Sequence, residues 1–154
     1  MELARPAQEG DLAVCTGLLE RALGHTKTLR GGAVLIGPAT AQELVARWTT
    51  HADDPRTLHV GLIDDVVVGL AAALTLIRPG SSRPSGLIEC CYVEDEARGV
   101  GVGTALMSAM VAWCSVQECT DIDALALPGD RSTKQRLEAT GFTARLLTLN
   151  CRLD

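Results

Sequence analysis

Aromatic residues are scarce in this chain. They make up 3% of its 154 residues, whereas the hydrophobic fraction as a whole is 47%. That hydrophobic fraction is normal for a soluble globular protein, and the length allows a sizeable core. The core must therefore be built mainly from leucine, valine and alanine. Its isolated large side chains are Trp48, Tyr92, Trp113 and Phe142.

Positive charge is also in short supply. The chain has 14 lysines and arginines against 19 aspartates and glutamates, a formal net charge of −5, and no visible basic stripe. Nucleic-acid binding requires clustered positive charge that neutralises phosphates. We therefore expect no nucleic-acid partner, whereas a cationic or amine substrate is compatible with this balance of charge.

A leader or membrane-spanning segment is the next feature that the sequence lacks. Residues 1–10 are polar and contain no apolar stretch of the kind found in signal peptides. The longest apolar run, residues 66–77, is too short to cross a bilayer. We therefore expect a cytoplasmic protein with no membrane partner.

The six cysteines form no C-x-x-C pair and lie near no set of histidines. Zinc sites require such spacing, so we predict no metal. Reduced and mostly buried thiols are the expected state in a reducing compartment. The spacing pairs no cysteine with a histidine either, so the sequence indicates no cysteine nucleophile.

The pattern of apolar residues predicts a series of strands. Asp64 and Asp65 form a tight turn between two of them, and Gly69 indicates a bulge or a close backbone approach. Tight turns imply antiparallel pairing, whereas the strand–helix–strand unit that starts at residue 87 implies a parallel pair. The predicted strands are residues 2–5, 57–63, 66–77, 87–93 and 121–127, with one or two more within 142–153.

Helical spacing and capping signals predict the helices. Asp11 is the predicted N-cap of the first helix, Thr40 caps the second, and Gly141 stops the last. Residues 24–39 are glycine-rich and are predicted to be mostly loop, in which residues 33–36 can be extended. The predicted helices run from 11 to 24, from 40 to before the break at 53–55, from 104 to 117 and from 130 to 140.

No internal repeat and no linker divides the chain, so we predict one domain over residues 1–154. The order of elements predicts the α/β class, as a mixed α+β sheet. Its central part is mostly antiparallel, one pair of strands is parallel, and helices cover both faces.

Glycines alternate in the stretch Arg98-Gly99-Val100-Gly101-Val102-Gly103, between a predicted strand and a predicted helix. Without Cβ atoms the backbone can approach a ligand closely. The first N–H groups of a helix have no partner within the helix and carry the positive end of its dipole. This glycine junction is therefore a candidate site for an anion, most often a phosphate. A tight turn without any ligand is the alternative.

Two common phosphate-binding motifs do not fit the glycine junction. The dinucleotide fingerprint G-x-G-x-x-G would place its third glycine at Thr104 or at Leu106. A Walker A loop requires a following Gly-Lys-Ser/Thr, which is absent. Neither a nicotinamide dinucleotide nor a nucleoside triphosphate is therefore indicated.

The glycine junction resembles the acetyl-CoA motif of the GNAT superfamily of N-acetyltransferases. Arg98, Gly101 and Gly103 fill the family pattern Gln/Arg-x-x-Gly-x-Gly/Ala, and Val93 ends a strand five residues before the arginine. The order of elements agrees along nearly the whole chain. The resemblance implies a GNAT-like fold with the parallel pair of strands at the CoA cleft.

The resemblance also implies acetyl-CoA as a cosubstrate. The glycine loop would bind the pyrophosphate through backbone N–H groups, and Arg98 would add positive charge. The pantetheine arm would lie between the parted strands 87–93 and 121–127, where a backbone N–H stabilises the tetrahedral oxyanion. The residues implied to bind the cofactor are Cys91, Tyr92, Val93, Arg98, Gly99, Val100, Gly101, Val102, Gly103, Thr104, Asp130 and Thr133.

In such an enzyme an amine attacks the thioester directly, after it has lost a proton. Glu89, on the strand before the glycine loop, is the candidate general base. Many family members protonate the departing thiolate with a tyrosine, but that position is Leu137 here. Tyr92, the only tyrosine, and the adjacent Cys91 are candidates to line the thioester, and core packing is the alternative for both.

Three functional hypotheses follow. The first is an N-acetyltransferase that acetylates a primary amine of a small molecule, peptide or protein. The second is a catalytically impaired CoA-binding module that acts as a sensor or partner subunit, which Leu137 motivates. The third is a packed α/β protein without a CoA site. Pairing across a homodimer and completion of the core are both compatible with the apolar residues 146–149.

Overall fold

A computed structural model describes residues 2–50 and 53–153 as five strands and five helices, joined by two short 3₁₀ turns. The strands are β1 (Glu2–Pro6), β2 (Arg56–Ile63), β3 (Val66–Leu76), β4 (Ser85–Val93) and β5 (Ile122–Ala124). The helices are α1 (Leu12–Thr28), α2 (Gly32–Ile36), α3 (Ala41–Thr49), α4 (Val102–Val116) and α5 (Arg131–Ala139). The 3₁₀ turns are Glu9–Asp11 and Asp95–Ala97.

The strands form one mixed sheet in chain order, β1-β2-β3-β4-β5. The first four strands pair antiparallel, and β4 pairs with β5 in parallel. Asp64 and Asp65 both adopt positive φ in the tight turn between β2 and β3. The predicted mixed sheet with one parallel pair is therefore confirmed.

Each face of the sheet carries its own core. Leu58, Val60 and Leu62 of β2 pack with α1 and α3 on one face, which we call the α1 core. Ala71 and Ala73 of β3 pack with α4 and α5 on the other face, which we call the α4 core. Aliphatic and alanine side chains fill both cores, as expected from the scarcity of aromatic residues. No helix among residues 2–50 and 53–153 is both long and apolar enough to span a membrane.

Gly69 combines both features that the sequence suggested. The register of β2 and β3 shifts beside it, where Gly61 pairs with Gly69 and Leu62 pairs with Val67. A Cβ at Gly69 would lie 2.8 Å from the carbonyl oxygen of Tyr92 on β4. The bulge and the close approach of the backbone therefore occur together.

The first two helices differ in part from their prediction. Thr40 and Glu43 form the predicted cap of α3, in which the Glu43 N–H donates to Thr40 Oγ1 (3.2 Å). Asp11 precedes α1, but its carboxylate accepts from the N–H of Gln8 (2.7 Å) and from Arg5 (2.7 Å). Its side chain therefore ties the preceding turn to β1 and does not cap α1.

The predicted loop over residues 24–39 is wrong in two places. α1 continues through Gly24 to Thr28, because one glycine inside a helix costs only about 1 kcal/mol. Residues 33–36 are helical within α2 and not extended. Gly31 and Gly37 adopt positive φ at the two ends of α2, so these glycines delimit a short helix.

The predicted terminal strands within residues 142–153 are also wrong, since these residues form neither strand nor helix. β5 is shorter than predicted, with only three residues. It therefore offers too short an edge for residues 142–153 to pair with as a further strand. The segment is held by Phe142, which packs in the α4 core, and by Arg145, which pairs with Asp123. Its leucines are largely exposed: Leu146 84%, Leu147 71%, Leu149 85% and Leu153 93%.

All six cysteines lie in the described part of the chain and are free thiols. Cys15 and Cys114 are fully buried, and Cys151 is exposed. The other three are half-buried, so the thiols are less uniformly buried than predicted.

Candidate active site

The glycine junction forms a tight turn that leads into α4. Gly99 (φ 84°) and Gly101 (φ 101°) adopt the left-handed backbone conformation that other residues rarely take. α4 begins at Val102, two residues earlier than the predicted start at residue 104. The N–H of Ala105 donates to the Gly101 carbonyl (2.9 Å), so the N–H groups of residues 102–104 have no acceptor within the helix. The turn therefore presents three backbone donors at the positive end of the α4 dipole.

Packing does not explain these glycines. No heavy atom lies within 4 Å of a Cβ built at Gly99 or Gly101. At Gly103 such a Cβ would be 3.6 Å from two side-chain atoms of Arg136 and 3.8 Å from Val93. The backbone conformation is therefore what requires glycine at the first two positions, and it leaves the start of α4 open.

Arg98 is folded back on the end of β4. Its Nε donates to the Val93 carbonyl (3.1 Å), and its Nη2 lies 2.8 Å from the Asp95 carboxylate. Its guanidinium carbon is 5.9 Å from the centre of the Tyr92 ring. The positive charge of Arg98 is therefore partly compensated within the loop.

β4 and β5 pair at one end and part at the other. Their pairing covers only Gly86 to Ile88 on β4 and ends where Ile88 meets Ala124. On the opposite side of β4, Ala72 of β3 pairs with Cys90 and Ala73 with Ile88, so Glu89 is the extra residue of a β-bulge. The strands therefore separate at the bulge, as the resemblance implied for this pair.

The gap between the strands opens into a cleft that reaches the glycine junction. One wall is the second half of β4, and the facing wall is residues 124–127 together with the start of α5. The end of α1 and Leu35 of α2 close one side. The predicted site residues that line this cleft are Glu89, Cys91, Tyr92, Val93, Arg98, Asp130 and Thr133. Residues 99–104 form the junction and the first turn of α4 beside it.

The Glu89 carboxylate has two donors from α3. Trp48 Nε1 donates to Oε2 (2.7 Å), and the Arg47 guanidinium forms an ion pair with both oxygens. The indole of Trp48 is buried, whereas the Glu89 side chain keeps 19% of its surface exposed. The carboxylate is therefore fixed in orientation at the edge of the cleft.

Cys91 and Tyr92 point to opposite faces of the sheet. Cys91 packs in the α4 core, and burial raises the pKa of its thiol. Tyr92 packs against the α1 core, and burial together with the carboxylate of Glu94 raises the pKa of its phenol. Both groups are therefore held in their protonated forms at neutral pH.

Asp130 caps α5. Its Oδ1 accepts from the Thr133 N–H (3.1 Å) and from Ser132 Oγ (3.0 Å). Burial alone would raise the pKa of Asp130, but the hydrogen bonds from Thr133 and Ser132 hold it below its ordinary value. Asp130 is therefore the N-cap of α5.

Leu137 lies four residues, about one turn, after Thr133 on α5 and lines the cleft. Its side chain is buried in the α4 core. An aliphatic side chain cannot donate a proton, so the cleft has no hydroxyl at this position.

Sequence reasoning missed three contributors to the site. Arg47 and Trp48 hold Glu89 although they precede it by 42 and 41 residues, and no local pattern connects them. Arg136 lines the cleft three positions after Thr133. That helical spacing places both residues on one face, and it is the one signal that would have indicated Arg136.

The sequence model of the Acetyltransferase (GNAT) family matches residues 32–142. The chain belongs to this family. The matched region contains the Glu89 bulge, the glycine junction and α5. A search among curated proteins finds no match.

Solved structures of two acetyltransferases and of a transcriptional regulator share the fold of this chain. An aminoglycoside N-acetyltransferase, AAC(6')-Iy in complex with CoA, superposes with a TM-score of 0.75 at 18% identity, covering 99% of this chain and 96% of that one. A ribosomal-protein-alanine N-acetyltransferase from Brucella melitensis biovar Abortus 2308 gives 0.75 at 14% identity, covering 99% and 100%. A transcriptional regulator from Bacillus halodurans C-125 gives 0.77 at 19% identity, covering 99% and 100%.

Proposed function

We propose that this protein is an N-acetyltransferase that transfers the acetyl group of acetyl-CoA to a primary amine of a small molecule, peptide or protein. The observation that carries the proposal is the parting of β4 and β5 at the Glu89 bulge, directly beside the open start of α4. A linear molecule with an anionic end fits a gap between strands that ends at a helix N-terminus.

The residues of the cleft suit such a ligand. The N–H groups of residues 102–104 would bind the pyrophosphate, and Gly99 and Gly101 give the loop the shape that leaves these groups open. The backbone of residues 91–93, which has no partner strand on the β5 side, would pair with the pantetheine arm. When bound, acetyl-CoA supplies an activated acetyl group as a thioester.

Glu89 would act as the general base. Two carboxylates line the cleft, and Asp130 is engaged in capping α5, which leaves Glu89. Trp48 and Arg47 orient its carboxylate, and the bulge turns it toward α3 at the mouth of the gap. Glu89 would accept one proton from the ammonium group of the substrate, and the neutral amine nitrogen would then bond to the acetyl carbon. The carbon–sulfur bond would break with its electron pair on sulfur, and the second proton on nitrogen would pass through solvent to the departing thiolate.

The backbone of β4 would stabilise the negative charge that develops on the acetyl oxygen. Beyond Ile88 its N–H groups on the β5 side are not used by the sheet. Tyr92 is the remaining candidate near the thioester, since its phenol stays protonated at neutral pH. Leu137 donates no proton, so the departing thiolate would leave without a tyrosine at that position.

A second candidate function rests on Leu137 alone: a CoA-binding module that no longer catalyses. Thiol release from acetyl-CoA across a panel of primary amines, with CoA affinity measured by calorimetry, separates the two. Turnover with any amine supports the enzyme. Micromolar CoA binding without turnover supports the module, and absence of binding contradicts both.

A further inference from the structure

Arg136 on α5 extends into the cleft toward the start of α4. A Cβ at Gly103, in the first turn of α4, would lie 3.6 Å from both Cδ and Nη1 of Arg136. The absence of a side chain at Gly103 therefore lets the guanidinium lie against the end of the helix that presents unpaired N–H groups.

Arg136 is the cleft arginine whose charge is left unpaired. Among the described residues, no carboxylate lies within 4.0 Å of its guanidinium, and its one side-chain hydrogen bond is to Thr133 Oγ1 at 3.4 Å. Arg98, by contrast, is paired with Asp95. The Asp130 carboxylate accepts from Thr133 and Ser132 of its own helix, and Arg136 helps to lower its pKa from beyond ion-pair distance.

This position is electrostatically unfavourable for a cation in the free protein. The N-terminus of a helix carries partial positive charge and favours anions. The half-buried Arg136 places its guanidinium against this end of the helix, which repels a positive charge. This repulsion is relieved if an anion binds between the guanidinium and the N–H groups of α4, so the arrangement is complementary to a diphosphate.

We propose that Arg136 is the side-chain cation that binds the pyrophosphate of CoA, and that Arg98 has the smaller part in this contact. The proposal rests on the proposed function. Arg136 is also within electrostatic range of Cys91, where its charge offsets only part of the rise that burial causes in the pKa of the thiol.

The test compares CoA with dephospho-CoA, which retains the pyrophosphate but lacks the 3′-phosphate. Calorimetric titration with both ligands is performed on the wild type, Arg136→Met, Arg136→Lys and Arg98→Met. Arg131→Met is the matched control, because it removes the same charge from the exposed start of the same helix. Thermal unfolding of each unliganded variant checks the fold.

Arg136→Met is expected to weaken both ligands by about 10- to 100-fold, with an unliganded melting temperature no lower than that of the wild type. Arg136→Lys should recover part of this loss, Arg98→Met should lose less than Arg136→Met, and Arg131→Met should bind like the wild type. The salt dependence of CoA affinity should also become shallower in Arg136→Met.

Three results would overturn the assignment. The first is wild-type affinity in Arg136→Met. The second is a loss of affinity for CoA but not for dephospho-CoA, which would assign Arg136 to the 3′-phosphate. The third is a loss of affinity that accompanies a lowered melting temperature and is not recovered in Arg136→Lys. Failure of the wild type to bind either ligand would contradict the proposed function itself, which is a different result.

Discussion

The indole Nε1 of Trp48 donates a 2.7 Å hydrogen bond to the Glu89 carboxylate, and so connects α3 to the bulge of β4. The bond joins a residue buried in the α1 core to a side chain at the edge of the cleft. A carboxylate that is held by a rigid, buried donor keeps its direction without help from a substrate. The geometry of the proposed base is therefore set by the core on one face of the sheet.

We predict that Glu89→Gln lowers kcat by about 100-fold or more, since a positioned base commonly contributes that much. CoA affinity should change little, because the side chain points to α3 and away from the start of α4. Glu138→Gln is the matched control: Glu138 is exposed and pairs only with Lys134 in the described part of the chain. Steady-state kinetics with an accepted amine provide the measurement, and an unchanged kcat in Glu89→Gln would remove Glu89 from the mechanism.

A second prediction concerns Gly101. Gly101→Glu should weaken CoA binding by about 100-fold or more, since a carboxylate placed beside the phosphate site repels it. Gly80→Glu is the control, because Gly80 also has positive φ (79°) and open space around it but lies in the loop before β4. Both variants carry similar backbone strain. Equal CoA affinity in the two would place the phosphate site elsewhere.

The residue at position 137 provides a third prediction. Leu137→Tyr adds a hydroxyl where the cleft has none, whereas Leu137→Phe adds the same ring without it. We expect kcat of the tyrosine variant to exceed that of the phenylalanine variant by about 10-fold, if proton donation to the thiolate limits turnover. The two rates are compared in one assay of thiol release. Equal rates would mean that the leaving group needs no donor here.

A fourth prediction concerns the stability of the fold. His59 is buried on β2, where Thr57 Oγ1 lies 3.1 Å from its Nδ1, and burial lowers the pKa of His59 from its ordinary value of 6.5. The folded state therefore binds fewer protons than the unfolded state just below that value. The free energy of unfolding should therefore fall as the pH is lowered below 6.5, and recover as the pH is raised above it.

Urea unfolding of the wild type and of His59→Gln at several pH values measures this effect. Carboxylates titrate equally in both proteins, so the difference between them isolates the histidine. Parallel stability curves would show that His59 contributes nothing to the pH dependence.

Much of the fold could be predicted from local signals. Strand periodicity, the Asp64–Asp65 turn and the Thr40 cap each depend on neighbours in the sequence, and all three are confirmed. The exceptions depend on tertiary contacts. α1 continues past Gly24 because helix packing outweighs one glycine, and the terminal strand-like pattern fails because β5 offers it too short an edge.

The candidate site divides in the same way. The glycine junction is local, and its backbone conformation agrees with the pattern that indicated it. The ion pair of Glu89 with Arg47 and the approach of Arg136 to Gly103 join distant parts of the chain. No spacing within one element encodes such contacts, so they became visible only in the folded structure.

The bulge at Glu89 reverses the alternation of β4, so that Ile88 and Cys90, two positions apart, pack in opposite cores. Deleting this one residue would restore a regular ladder, in which residues 90–93 keep their β3 partners and the core that each faces, and the bulge is lost. The same deletion would remove the carboxylate. Glu89 therefore provides both the bulge at which the two strands separate and the carboxylate proposed to act there, so deleting this residue would remove both.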